Sequence, residues 1–204
     1  MSVEIELRAR IALNQFIALR EELSRHSVTT TQSRCFIDYS TFIEGIGERR
    51  LDVRVRVTNG SPEIAIKRGQ FGGAVREEAL AKVAPDDLEN LLAVMALLGY
   101  SKGVAGGRRI YRGKVGDIEL AIQEVLDFSH PEVIGERFLE VEYMGGANDN
   151  AVAEAALRSF LSARSISPFS VEEWNAYVKS LNERWNGVYV HGETAPNIIR
   201  ALGS

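Results

Sequence analysis

Charged residues of both signs recur at every second position in five separate stretches of this 204-residue chain. EIELRAR carries Glu4, Glu6 and Arg8; LDVRVRV carries Arg54 and Arg56; EIAIKRG carries Glu63 and Lys67; AVREEAL carries Arg76 and Glu78; FLEVEY carries Glu140 and Glu142. The residues between them are mostly apolar, among them Ile5, Leu7, Val53, Val55, Val57, Ile64, Ile66, Leu139 and Val141. Side chains alternate faces along a strand, so each stretch presents one ionic face and one apolar face. One such strand is an ordinary antiparallel strand with a wet side. Five of them, with mixed charge at the strand centres, imply a shared purpose. A polyanion such as a triphosphate needs several cationic donors, because arginine grips phosphate oxygens bidentately and lysine supplies a compact charge. Carboxylates in the same place would repel it unless a divalent cation stood between them. Magnesium prefers oxygen and is held by one or two carboxylates plus substrate phosphates. Glutamates at i and i+2 on one strand point the same way and can share an ion.

Positioning these faces together requires a sheet, and a sheet of this length must dispose of its edges. Closure into a barrel does so. With the apolar faces outward under helices, the ionic faces then line the interior. The strand-like segments are EIELRAR, TTTQSRCFIDYSTF, LDVRVRV, EIAIKRG, AVREEALAKV, RRIYRGKV, DIELAIQEV and ERFLEVEYMGG. Turn residues separate them: EGIGE, Asn59-Gly60, GQFGG, and Lys114 to Gly116. ALNQFIALREELSRH and PDDLENLLAVMALLGY have helical apolar spacing, the latter opening on Pro85 and two acids. The expected fold is α+β, a closed eight-stranded antiparallel barrel with flanking helices. Near Gly145 the character changes to helical segments. ANDNAVAEAALRSFLSARSI has Asp149 or Asn150 as a cap, and FSVEEWNAYVKSLNERWNG has a Ser170/Glu173 capping box and a Gly187 stop; a short helix over NIIRALG follows. The expected division is a tunnel domain over residues 1–146 and a helical extension over 147–204 that packs on the barrel or on a partner chain.

EIELR resembles the ExExK signature that opens CYTH domains, the family of class IV adenylyl cyclases and thiamine triphosphatases, also called triphosphate tunnel metalloenzymes. Later pieces occur in the family's order: LDVRVRV, the lysine of IAIKRG, VREE, the helix ending in LLGY, RRIY and FLEVEY. The resemblance covers residues 1 to about 146 and implies an eight-stranded tunnel acting on triphosphates with magnesium or manganese. It implies that Glu4, Glu6, Glu140 and Glu142 hold metal and that Arg8, Arg54, Arg56, Lys67, Arg76 and Arg108 grip the phosphates. Lys67 and Glu78 are the candidate catalytic residues, Glu78 as an acid near the metal or the attacking water. Four positions depart from the family's pattern. Arg8 stands where lysine is usual, Gly106 at another lysine position, and Gln123 and Leu80 where acids are usual. The leading expectation is hydrolysis of inorganic triphosphate, a nucleoside triphosphate or thiamine triphosphate. A cyclase making cyclic AMP from ATP, or a module that binds polyphosphate or a nucleotide without turnover, are the alternatives.

Composition narrows the field. A net charge of -4 argues against a dedicated nucleic-acid binder. The longest apolar run, LLAVMALLGY, is too short for a bilayer, and the acids near the start are unlike a signal peptide; a cytoplasmic protein is expected. Cys35 is the only cysteine, so no internal disulfide is possible, and it reads as a small strand residue. His26, His130 and His191 lack zinc-type spacing. Trp174 and Trp185 read as packing residues against the barrel or a second copy in a homodimer.

Overall fold

A computed structural model of the chain describes residues 2–27, 29–40, 50–144 and 150–194, with side chains from residue 5 onward. The side chain of Glu4, the EGIGE turn, Asp149 and the NIIRALG segment lie outside the described residues.

Eight strands form a ring: β1 (Ser2–Arg10), β2 (Thr30–Asp38), β3 (Leu51–Thr58), β4 (Ser61–Arg68), β5 (Val75–Lys82), β6 (Lys102–Val115), β7 (Ile118–Leu126) and β8 (Ile134–Tyr143). Their order is β2-β3-β4-β5-β1-β8-β7-β6, and β6 pairs back onto β2, so the barrel is closed. Every pairing is antiparallel. Asn59 and Gly60 have φ of 47° and 77° and make the β3–β4 hairpin, a conformation for which Asn-Gly is suited. Gly116, at φ 60°, turns β6 into β7.

Two strands differ from the pattern read in the sequence. β6 begins at Lys102, six residues before RRIY, because its glycines serve close approach rather than turning. A Cβ on Gly103 would come within 2.6 Å of Ile37 Cγ2 and 3.0 Å of the Asp38 carbonyl on β2. A ninth strand, β9 (Gly187–Val190), pairs with Lys102–Ala105 of β6 outside the ring.

Helices cover the outward apolar faces. Phe16, Leu19 and Leu23 of α1 (Leu13–His26) and Ala153, Leu157, Phe160 and Leu161 of α3 (Asn150–Ser162) bury Ile5, Leu7, Leu120, Ile122, Leu139 and Val141. A single 3-10 turn at Pro85–Asp87 leads into α2 (Leu88–Leu97), whose Leu88, Leu92 and Met95 cover Ile37, Val53, Val55 and Val57. Each such side chain contributes about 1.5–3 kcal/mol on burial. The ring's inner face is thereby left to the ionic residues.

The fourth helix, α4 (Val171–Arg184), lies across one end of the barrel. Ser170 Oγ accepts from the Glu173 amide at 3.1 Å, and Glu173 Oε2 accepts from the Ser170 amide at 2.7 Å, completing the capping box. Trp174, Tyr177 and Leu181, one helical face, pack on Phe71, Val125 and Phe138. The barrel receives Trp174, and Trp185 just past the helix, on glycines. A Cβ on Gly72 would lie 2.9 Å from Trp174 Cδ1, and one on Gly135 would collide with the Trp185 ring. No described helix is long and apolar enough to cross a membrane.

Candidate functional site

The interior holds two cavities that share Arg34, Arg56, Lys67 and Glu140 in their walls and so lie in succession along the barrel. The inner one, about 100 Å3, is bounded by α4 through Trp174, Val178, Leu181 and Asn182. Arg8, Arg54, Arg76 and Arg108 face it from four strands. The outer one, about 370 Å3, is lined by Glu6, Glu78, Glu119, Glu140 and Glu142 with Arg112. All six cations expected to grip an anion therefore converge on one interior.

Register explains the acidic end. Glu6 is directly opposite Glu142, and Glu142 opposite Glu119, so three carboxylates form one row across β1, β8 and β7. One interior step along, Arg8 opposes Glu140. Lys67 opposes Glu78 across β4 and β5, with Nζ 3.7 Å from Glu78 Oε1 and 3.4 Å from Glu6 Oε1. Arg56 Nη2 lies 3.8 Å from the same Glu78 oxygen.

Glu6 is the hub of this network. Its Oε1 accepts from Arg76 Nη2 at 2.9 Å and from Lys67, and it also accepts from Arg8 Nη2. Burial alone would raise its carboxyl pKa, but the Arg8, Lys67 and Arg76 charges and the Arg76 hydrogen bond hold it well below the usual glutamate value. Arg76 is raised despite burial, by Glu6 and Asp52. Arg54 is likewise raised against burial, by Asp52 and Asp38.

Two other arginines have the opposite character. Burial, reinforced by Arg56 and Arg112, pulls Arg34 down to about 10. Burial, reinforced by Arg54, pulls Arg108 down to about 10 even though Tyr177 and Glu140 oppose it. These guanidiniums have less counter-charge than their burial demands, and a bound anion would supply it.

Among the described residues no group of three or more His, Cys, Asp or Glu side chains is gathered so as to hold a metal ion. Glu6 is instead turned onto cations, and Glu140 onto one cation and one amide, accepting from Arg8 Nε at 3.2 Å and from Gln123 Nε2 at 2.6 Å. The lining still offers only hard oxygen donors, the set that suits magnesium or manganese. Cys35 is buried on the outward face of β2, and burial raises its thiol to about 12.

No protein-family profile matches the chain, and no curated protein sequence does. Solved structures do. A Pyrococcus horikoshii protein, PH1819, superposes with a TM-score of 0.63 at 16% identity, covering 87% of this chain and 99% of its own. A candidate adenylate cyclase from Bacillus halodurans gives 0.55 at 14% identity, covering 83% and 95%. A Hippeastrum candidate adenylyl cyclase described as having a dominant triphosphatase activity gives 0.51 at 17% identity, covering 98% and 96%. The chain shares with these structures the fold of a closed antiparallel β-tunnel. Likeness at this identity speaks to architecture, and the chemistry must come from the lining.

Within that tunnel fold, the departures seen in the sequence acquire physical reasons. Gly106 has no room for a lysine: a Cβ there would lie 2.8 Å from Phe36 Cζ and collide with the Asn186 amide. Asn186 Oδ1 accepts from Arg108 Nη1 at 3.3 Å, so the second residue past α4 fills the space and engages the neighbouring cation. Gln123 donates to Glu140, which an ionised aspartate in its place could not do. Arg8 spans Glu6 and Glu140 and stacks its guanidinium 5.0 Å from the Trp174 ring, a use of shape that lysine lacks. Leu80 lines the outer cavity.

Several residues that line the cavities or hold their arginines escape the sequence reading. Asp52 shares a face with Arg54 and Arg56 and could have been read from LDVRVRV by the same alternation. Arg112 shares a face with Arg108, and Glu119 with Gln123. Arg34 and Asp38 sit on β2, where the opposite face carries Thr31 and Ser33 and blurs the pattern. Trp174, Asn182 and Asn186 carry no signal of a role in the interior.

Proposed function

We propose that the chain is a divalent-metal-dependent triphosphatase that hydrolyses a terminal phosphoryl group from a triphosphate held inside the barrel. The observation that carries this reading is the convergence of Arg8, Arg54, Arg56, Lys67, Arg76 and Arg108 on an enclosed interior whose other end is a row of carboxylates. A chain of phosphates needs charge from several directions at once, and a closed ring of strands provides it. Strands fix those donors before the substrate arrives, which is what electrostatic stabilisation of a phosphoryl transfer requires.

Glu4, Glu6, Glu140 and Glu142 are the residues that would hold magnesium or manganese, and Glu119 stands in their row. The bound ion would neutralise developing charge on the transferred group. The protein's own groups do the rest. Arg8, Arg76 and Lys67 exchange the Glu6 carboxylate for phosphate oxygens as the polyanion enters. Arg34 and Arg108, short of counter-charge, gain it from the same ligand. Glu78, flanked by Lys67 and Arg56 at the outer cavity, is placed to orient a water and take its proton. The likeness to a Hippeastrum protein with triphosphatase activity supports this reading over simple capture.

The test is a panel of inorganic triphosphate, ATP and thiamine triphosphate with magnesium or manganese. Orthophosphate is the expected product, with turnover lost in Glu6→Gln and Lys67→Ala. Pyrophosphate with cyclic AMP from ATP would establish the cyclase instead. Tight binding without any product would establish a binding module.

A further inference from the structure

The inner cavity is closed on one side by α4, and two buried N–H groups in its wall have no acceptor among the described residues. They are Trp174 Nε1, on a side chain 7% exposed, and Arg76 Nε, on one 4% exposed. An unmet buried donor costs about 1–3 kcal/mol, so it persists only where the surroundings force it. Here they do. The Trp174 indole has the Arg8 guanidinium over its ring at 5.0 Å and the rings of Phe138, Phe169 and Tyr177 at centroid distances of 5.6, 5.7 and 5.8 Å. Gly72 leaves the notch that its Cδ1 fills. The indole is held among these neighbours, and the cavity that Trp174 lines is rich in cations.

We propose that Trp174 is a substrate-binding residue whose Nε1–H, together with the Nε–H of Arg76, donates to the innermost phosphoryl group of a triphosphate in the tunnel. The inference rests on the triphosphate reading above and extends it by making the helical extension part of the binding site. A phosphoryl group suits the position because its oxygens accept several hydrogen bonds at once and carry the charge that Arg54 and Arg108 face. The extension would then couple substrate affinity to the seating of α4.

Trp185 is the internal control. Its Nε1–H also lacks a partner among the described residues, but it packs over Gly135 and is not among those lining the cavity. Calorimetric titration with inorganic triphosphate in the presence of EDTA compares wild type, Trp174→Phe, Trp185→Phe and Arg56→Ala. Trp174→Phe, which keeps a ring and removes the donor, is expected to weaken binding roughly tenfold. Trp185→Phe should bind as wild type does. The chain has two tryptophans, so in Trp185→Phe the emission comes from Trp174 alone, and it should shift with triphosphate and saturate at the calorimetric concentration. This second measurement decides the matter if Trp174→Phe folds poorly. Unchanged affinity in Trp174→Phe, or unchanged Trp174 emission, while Arg56→Ala weakens binding would overturn the role of Trp174 and leave the triphosphate reading intact. Absence of binding to wild type both in EDTA and in a parallel titration with magnesium would overturn both.

Discussion

Asp52 holds Arg54 through both carboxylate oxygens, Oδ1 accepting from Nε at 2.8 Å and Oδ2 from Nη2 at 2.9 Å. Oδ2 also accepts from Arg76 Nη1 at 3.1 Å. One buried acid thus fixes two of the guanidiniums that face the inner cavity. Removing a single partner from a buried ionic cluster strands the remaining charge, which typically costs more than the cluster contributes. Asp52→Ala is expected to lower stability by on the order of 3 kcal/mol. Adding inorganic triphosphate should raise its thermal midpoint more than it raises that of wild type, since phosphate oxygens replace the lost carboxylate. Equal midpoints without ligand would show that the two arginines need no fixed counter-ion.

Glu6 gives the tunnel a pH dependence with a definite sign. Its folded pKa is depressed below the ordinary 4.5, with burial opposing and the charges of Arg8, Lys67 and Arg76 prevailing. The unfolded chain binds the proton more readily, so the contribution of Glu6 is complete above the ordinary value and is lost as pH falls toward the folded one. Thermal midpoints should therefore fall on acidification below about pH 4.5. In Glu6→Gln that acid limb should be shallower, and the midpoint at neutral pH lower. Parallel acid limbs in the two proteins would remove Glu6 from the network's centre.

Arg34 and Arg108 should behave as function held at the expense of stability. Both are pulled down to about 10, first by burial and then by neighbouring arginines. Folding therefore disfavours their charged forms, and an uncharged replacement of similar length relieves that cost. Arg34→Met and Arg108→Met are expected to keep or raise the thermal midpoint while weakening triphosphate binding by tenfold or more. A drop in midpoint with affinity unchanged would assign them a structural role.

The barrel was legible because its strands carry their two faces in the sequence. Glu6, Arg8, Arg54, Arg56, Glu140 and Glu142 alternate with residues that lie under α1, α2 and α3. Alternation fails on β2, where Thr31 and Ser33 are polar on the outward face, and so Arg34 and Asp38 went unread. β9 is hidden for another reason. Its partner segment, Lys102–Ala105, is available because β6 runs on past the point where its pairing with β7 ends at Gly107. The apolar stripe of α4 announces a buried face without naming its counterpart. That counterpart includes Gly72, while Gly106 and Gly135 receive Asn186 and Trp185 just past the helix, and a glycine records only that a side chain would not fit.

Gly106 and Asn186 make the relation between barrel and extension measurable. Gly106→Ala should be destabilising by about 1–3 kcal/mol, because its Cβ meets both Phe36 and the Asn186 amide in a packed wall. Asn186→Gly alone should cost less, losing the 3.3 Å contact to Arg108 and the 2.8 Å bond to Asn182. In the double variant the clash with the amide is gone, so the two losses should add to less than their sum, as expected for residues in contact. The rest of the Gly106→Ala penalty would belong to Phe36 at 2.8 Å. Strict additivity in urea denaturation would mean that the two residues do not share this space, and with it would go the account of why lysine is absent from position 106.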